Sequence, residues 1–280
     1  MSQAEVGYLG LVEVDGFRYR CLSMNSTPQQ SVLPYDHVYG LNDKISGEKT
    51  KGEDIGKHMP QTTIWRPSME LIGGSFEFYP DESNVHHLFE YIRTGDYINE
   101  INFHYACGRD SGATFRKCRL NSYSFMVSSG EVLRISVGFN SADLEDGRGA
   151  DQHITPYKLI TWDKVDVIAG LPGDIRDFNL NVENEIIPIY TADNDGFSDS
   201  EYGPRDLRIG SQKVSGTIST YLKPIEVLMD ADTQYEEIDV TVVDSFNFKI
   251  NAVVTPLQIS TSSGVFFAGI AFTGVGLALD

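Results

Sequence analysis

The sequence predicts a mainly β protein made of two tandem antiparallel units of the sandwich or barrel kind. Three observations predict it. Alternating or β-branched runs recur along the chain, Ser-Gly turns separate several of them, and the order of features in the first half returns in the second. The first half has Arg20-Cys21-Leu22-Ser23-Met24-Asn25 and the second Arg176-Asp177-Phe178-Asn179-Leu180-Asn181. Each run places Arg first, apolar residues third and fifth, and Asn sixth. Each then reaches proline in apolar company, at Val32-Leu33-Pro34 and at Ile186-Ile187-Pro188. A polar, Gly-rich loop follows, after which Leu71–Tyr79 matches Lys213–Tyr221. Each half closes on a hairpin, Ser128-Ser129-Gly130 or Ser262-Ser263-Gly264. The copies divide at 1–145 and 146–280.

Strands of the first copy are expected at Val6–Val14, Phe17–Met24, Glu70–Tyr79, Tyr97–Tyr105, Phe115–Val127 and Val132–Phe139. Those of the second are expected at Tyr157–Val167, Ile175–Val182, Gln212–Leu222, Glu237–Val243, Phe246–Leu257 and Val265–Phe272. Period-two alternation is clearest in Ser75-Phe76-Glu77-Phe78 and Asn247-Phe248-Lys249-Ile250. One flanking α-helix is expected at about 82–94. Pro80-Asp81-Glu82-Ser83-Asn84 offers a cap and an acidic first turn, and Val85, Leu88, Phe89 and Ile92 line one face. Arg93 and Gly95 supply its stop. In the second copy Tyr221–Thr233 holds the equivalent place, with Pro224 near its start.

Ser141–Asp151 is polar and Gly-containing, and reads as the linker between copies, at about 141–155. The long loop at 40–63 is rich in Lys, Gly, Glu and Asp, and its counterpart is about Asp193–Arg205. Loops beyond roughly 12–15 residues in a compact domain are usually functional or disordered. Their matched positions favour function.

Composition narrows the function classes. The 280 residues suffice for two medium domains, each burying its own core. The most apolar stretch, Gly264–Leu279, is broken by glycines and a Thr, so it reads as a buried strand and not as a membrane span. The first residues show neither a basic nor an apolar signal region. Cys21, Cys107 and Cys118 lack C-x-x-C spacing and read as reduced structural thiols. The formal net charge of −18 argues against a tight, sequence-reading DNA binder.

The chemical motifs are sparse. Asp193, Asp195 and Asp199 match part of a calcium loop when Gly196 is taken as its sharp-turn glycine. Thr191 then takes the first ligand position and Tyr202 the bidentate-acid position, so a solvated acidic turn is the preferred reading. His86 and His87 are adjacent, lack the i, i+4 spacing of a metal pair, and read as surface histidines. Gly170-Leu171-Pro172-Gly173-Asp174 lacks the Lys-Ser/Thr of a phosphate loop, and no G-x-S-x-G elbow occurs. Trp65 and Trp162 read as strand-edge core. No enzyme, cofactor or metal is expected.

The order of strand, apolar-Pro loop, long polar loop, Val214-Ser215-Gly216-Thr217-Ile218-Ser219 strand, helix or loop, and closing hairpin resembles the tube domain of bacteriophage tail tube proteins. Arg176–Asn181 through Gly210–Tyr221 carries most of the likeness, which covers nearly the whole chain as two tandem domains. The resemblance implies a structural virion protein made in the host cytoplasm. Three two-domain chains would form a pseudo-hexameric homotrimeric ring, and rings would stack into a tail tube for DNA ejection. Its partners would be further copies, the tail terminator and tail-tip or baseplate proteins. Genomic DNA would pass without specific binding. In the family the long loop reaches the neighbouring ring, a role that would fall to Gly40–Thr63 and Asp193–Arg205. About 24 tilted strands close a barrel about 50 Å across, and acidic groups facing the lumen would repel phosphate. Two alternatives remain at this stage: a baseplate hub or tail-tip protein with two tube domains, and a soluble β-sandwich carbohydrate-binding virion module.

Overall fold

A computed structural model describes residues 10–35, 64–92, 101–107, 111–147, 158–169, 174–190, 204–222, 235–243, 246–254, 258–262 and 265–279. The chain is mostly strand, and every strand pair is antiparallel. The first half supplies β1 (Gly10–Val14), β2 (Phe17–Tyr35), β3 (Ile64–Phe78), β4 (Ile101–Cys107), β5 (Ser111–Ser128) and β6 (Arg134–Ser141). Pairing runs β4–β1–β2–β3–β6–β5 and returns to β4, closing a six-stranded barrel. Alternation explains its filling. Phe76 and Phe78 point in while Ser75 and Glu77 point out, and Phe103, Phe115 and Phe139 meet them. Phe103 stands 5.4 Å from Phe76 and 4.8 Å from Phe139, ring centre to ring centre.

Strands β2 and β5 each serve two neighbourhoods. Phe17–Arg20 of β2 pairs with β1, whereas Cys21–Tyr35 pairs with β3. The early part of β5 pairs with β4, and Ser122–Ser128 pairs with the second half. Register shifts at Cys21/Ser23 and Leu120/Ser122 mark the changeover, as bulges bend a strand and raise its twist.

The second half supplies β8 (Val165–Ile168), β9 (Asp174–Ile189), β10 (Asp206–Leu222), β11 (Tyr235–Val242), β12 (Phe246–Val254), β13 (Gln258–Ser262) and β14 (Val265–Leu279). It retraces the barrel's pairing, with β8, β9, β10, β11, β12 and β14 standing for β1 through β6 in turn. A β8–β9 pairing, which would match β1–β2, is missing among the described residues.

A glycine fixes the correspondence. A Cβ on Gly74 would lie 2.3 Å from the Phe139 ring, and one on Gly216 would lie 2.2 Å from the Phe272 ring. Each glycine lets a cross-strand phenylalanine lie flat over it. With Gly74 on Gly216, Leu71–Tyr79 falls on Lys213–Tyr221, as the sequence suggests. The first motif falls differently. Asn25 pairs with Ser75 and Asn179 pairs with Thr217, so Asn25 corresponds to Asn179 and not to Asn181. The side-by-side Arg and Asn of the two runs are therefore offset by two residues. Bulges stand at the same place in both strands, Cys21/Ser23 in β2 and Ile175/Asp177 in β9. The apolar-Pro segments are strand rather than loop, since β2 continues through Pro34 and β9 through Pro188.

Three other expectations are corrected. Within the expected linker, Asp143–Gly147 is strand β7, paired with Gly112–Arg116 of β5. Its acids read as loop but serve as ion-pair partners, Arg116–Glu145 at 2.7 Å and Lys117–Asp143 at 3.9 Å. The helix, α1, spans only His87–Ile92. Residues 82–86 form turns, held where Asn84 Oδ1 accepts from the Asp81 amide at 2.9 Å and Asn84 Nδ2 donates to the Arg18 carbonyl at 3.2 Å. Local side-chain bonds of this kind compete with the helical ladder. Trp162 opens a 3-10 turn, η1 (Trp162–Lys164), and packs half-buried against the core rather than at a strand edge. The loops at 40–63 and Asp193–Gly203 and the segment Lys223–Thr233 lie outside the described residues.

Candidate assembly surface

The two halves meet through main-chain pairing. Ser122–Ser128 of β5 lies against Asp177–Glu183 of β9, joining β2–β3–β6–β5 to β9–β10–β14 in one sheet. Ser124 Oγ donates to Asn181 Oδ1 across the junction at 2.7 Å. The Ser129 amide extends the contact by donating to the Arg176 carbonyl at 2.8 Å.

Helix α1 locks the junction from the apolar side. Phe89 is fully buried, its ring centre 5.4 Å from Tyr123 of the first half and 4.8 Å from Phe248 of the second. The C-terminal carbonyl of Ile92 accepts from Gln212 Nε2 at 2.7 Å and from Asn184 Nδ2 at 3.3 Å. Asn184 Nδ2 also donates to the Leu120 carbonyl at 3.2 Å. Side chains of β9 and β10 therefore satisfy the last orphan carbonyl of a helix from the other half. Segment 158–161 adds a second lace, since the Leu133 amide donates to the Ile160 carbonyl at 2.8 Å.

The opposite face of this sheet is largely polar across both halves. Directly opposed residues share a face, so register alone places Glu77, Ser136, Ser124, Asn181, Ser215 and Thr273 in one transverse row. A neighbouring row runs Asn25, Ser75, Gly138, Ser122, Glu183, Lys213. Another runs Arg134, Met126, Asn179, Thr217, Ala271. In these rows the acids Glu77 and Glu183 are balanced by Arg134 and Lys213, and Arg134 pairs with Glu77 at 3.2 Å.

His87 is buried, contrary to its surface reading. Phe17 stacks on its ring at 4.2 Å, and the Tyr19 hydroxyl donates to Nδ1 at 2.7 Å in the tautomer that turns Nε2–H toward Asp15, 3.7 Å away. The Tyr91 hydroxyl donates to the same Asp15 carboxylate at 2.6 Å. Burial, helped by that bond, pushes the Tyr91 hydroxyl up to about 12. Burial holds His87 below its ordinary 6.5, opposed by Asp15 and Glu90 and aided by His86. The unfolded chain takes up that proton near 6.5, the folded chain only at lower pH. Stability contributed here is complete above 6.5 and is lost as pH falls from there to the lowered value. Urea midpoints followed from pH 7 downward should fall less steeply in His87→Gln than in the wild type, and equal slopes would exclude this role.

Burial pushes the Cys21 and Cys118 thiols up to about 12, in keeping with inert structural cysteines. Among the described residues no cluster of His, Cys, Asp or Glu could hold a metal ion. Asp193, Asp195 and Asp199 lie outside those residues. The sequence did not reveal the burial of His87 or the Asn184–Gln212 clamp, because both depend on contacts between segments distant in the chain. No protein-family model and no curated protein matches the chain.

Proposed function

We propose that this chain is a structural protein of a bacteriophage tail, whose copies join into rings that stack as the tail tube. The observation that supports this most is the joining of two equivalently paired halves, edge to edge, in one sheet with a largely polar face. Such a chain is a repeat whose natural continuation is another repeat. Three chains would bring together six equivalent units, as the resemblance of Val214–Ser219 and its surroundings to tube domains implies. The polar face would line the conduit, while α1 and the aromatic core lie behind it.

Passage of DNA without adhesion then rests on charge balance. Hydroxyls, amides and compensated acids leave no cationic excess to release counterions from phosphate. Virion localisation and partnership with terminator and tip proteins belong to the same reading.

Negative-stain electron microscopy of the purified protein, over a range of concentration and salt, tests it. Hollow rings or tubes with six equivalent lobes are expected. Compact monomers under every condition would overturn the reading.

A further inference from the structure

We infer that the outer edges of β2 and β13 are the two sides of one intermolecular seam, each fitted to a second copy of this chain. The inference rests on the assembly reading above and adds to it the strands and their register. Beyond Arg20, β2 pairs on one side only, with β3, among the described residues. Strand β13 likewise pairs only with β14. An open edge is a template for another strand, and here the internal junction says which strand.

At that junction Ser128, Val127, Met126, Phe125 and Ser124 of β5 oppose Asp177, Phe178, Asn179, Leu180 and Asn181 of β9. Matching Gly74 to Gly216 carries Asp177–Asn181 onto Ser23–Thr27 of β2. Matching Phe139 to Phe272 carries β6 onto β14. Ser136, opposite Ser124, then falls on Gly269, opposite Gln258. Ser124–Ser128 therefore lands on Gln258–Ser262, the whole of β13. The same offset in sequence aligns Ser128-Ser129-Gly130 with Ser262-Ser263-Gly264, the hairpin match noted above.

Each open edge thus has a counterpart inside the chain, and those counterparts already pair with each other. Transferring their register opposes Ser23 to Ser262, Met24 to Thr261, Asn25 to Ser260, Ser26 to Ile259 and Thr27 to Gln258, the second residue of each pair belonging to the next copy. Pro28 stands where Val182 stands in β9. It has no N–H to give a ladder, so the seam ends there, just as β13 does. The repeat of the seam places eight strands per chain side by side, β2–β3–β6–β5–β9–β10–β14–β13, and leaves neither edge open in a closed ring.

Cross-linking with imaging of the same samples tests this. The variant Asn25→Cys/Ser260→Cys is oxidised mildly under assembly conditions, beside each single variant and the slipped pair Ser26→Cys/Ser260→Cys. Reducible covalent species larger than dimers are expected from the matched pair alone. Rings or tubes lacking that cross-link, or linked better by the slipped pair, overturn the seam and leave the assembly reading standing. Covalent oligomers without rings retain the seam and overturn the tube. Dispersed monomers with no cross-link overturn both. A charge exchange supplies an independent arm, because like charges directly opposite destabilise a strand pair. Asn25→Glu/Ser260→Glu should reduce assembly several-fold, and Asn25→Lys/Ser260→Glu should restore it; equal assembly of the two overturns the register.

Discussion

Replacing Phe89 by alanine should lower the unfolding free energy by about 3–5 kcal/mol, the usual cost of removing a buried phenylalanine. Phe89 reaches residues of both halves, with ring centres at 5.4 Å for Tyr123, 5.2 Å for Phe246 and 4.8 Å for Phe248. A six-residue helix has no stability of its own in water. It persists because Phe89, Leu88 and Ile92 are buried and because Gln212 and Asn184 hold its last carbonyl. The sheet beneath is hydrogen-bonded on both sides and cannot collapse into the void. Phe89→Leu keeps most of the volume and should cost less than about 1.5 kcal/mol. Urea denaturation checks both, and a loss below about 1 kcal/mol for Phe89→Ala would show that the helix is not a strut between the halves.

Gly216→Ala should cost about 3 kcal/mol, at the upper end for an overpacked core. The new Cβ would lie 2.2 Å from the backbone oxygen of Asn179 and 2.2 Å from Phe272 Cζ. A ring can rotate away, but the Asn179 carbonyl is fixed in the ladder between β9 and β10. The three atoms nearest a Cβ on Gly74 all belong to the Phe139 ring, the closest at 2.3 Å, so Gly74→Ala should cost less. The gain from replacing a strand glycine, about 0.5–1 kcal/mol, offsets neither clash. Thermal melting of the two variants side by side reads the order. Equal losses would mean that the aromatic ring, and not the neighbouring strand, sets the constraint.

Much of the fold was legible because its alternation is strict. Phe246, Phe248, Ile250 and Ala252 are buried while Asn247 and Asn251 are exposed, the pattern a half-buried strand writes into sequence. The Gly-containing strand matched because Gly74 and Gly216 each face a cross-strand phenylalanine, a requirement that sequence does display. The first motif misled because Arg and Asn recur with the same spacing two residues away from the structural match, and two shared residue types do not reveal which partner each strand residue faces. His87 read as surface because Asp15, Phe17 and Tyr19, which meet its ring, come from the hairpin of β1 and β2, about 70 residues away in the chain. Asp143–Gly147 read as linker because ion pairs across strands look like loop charge until the strands are placed. Closure of the barrel and the β5–β9 junction were illegible for one reason: periodicity sets which face a residue takes, not which strand lies beside it.

Strand β5 belongs at once to the closed barrel and to the sheet shared by both halves. A polypeptide so divided has no natural place to come apart. Fraying of the barrel wall at β4–β5 strips support from the same backbone that carries β9, and loss of β9 frees the residues that hold α1. Local opening therefore spreads rather than staying confined, and the two halves stand or fall as one cooperative body despite their kinship as separate repeats.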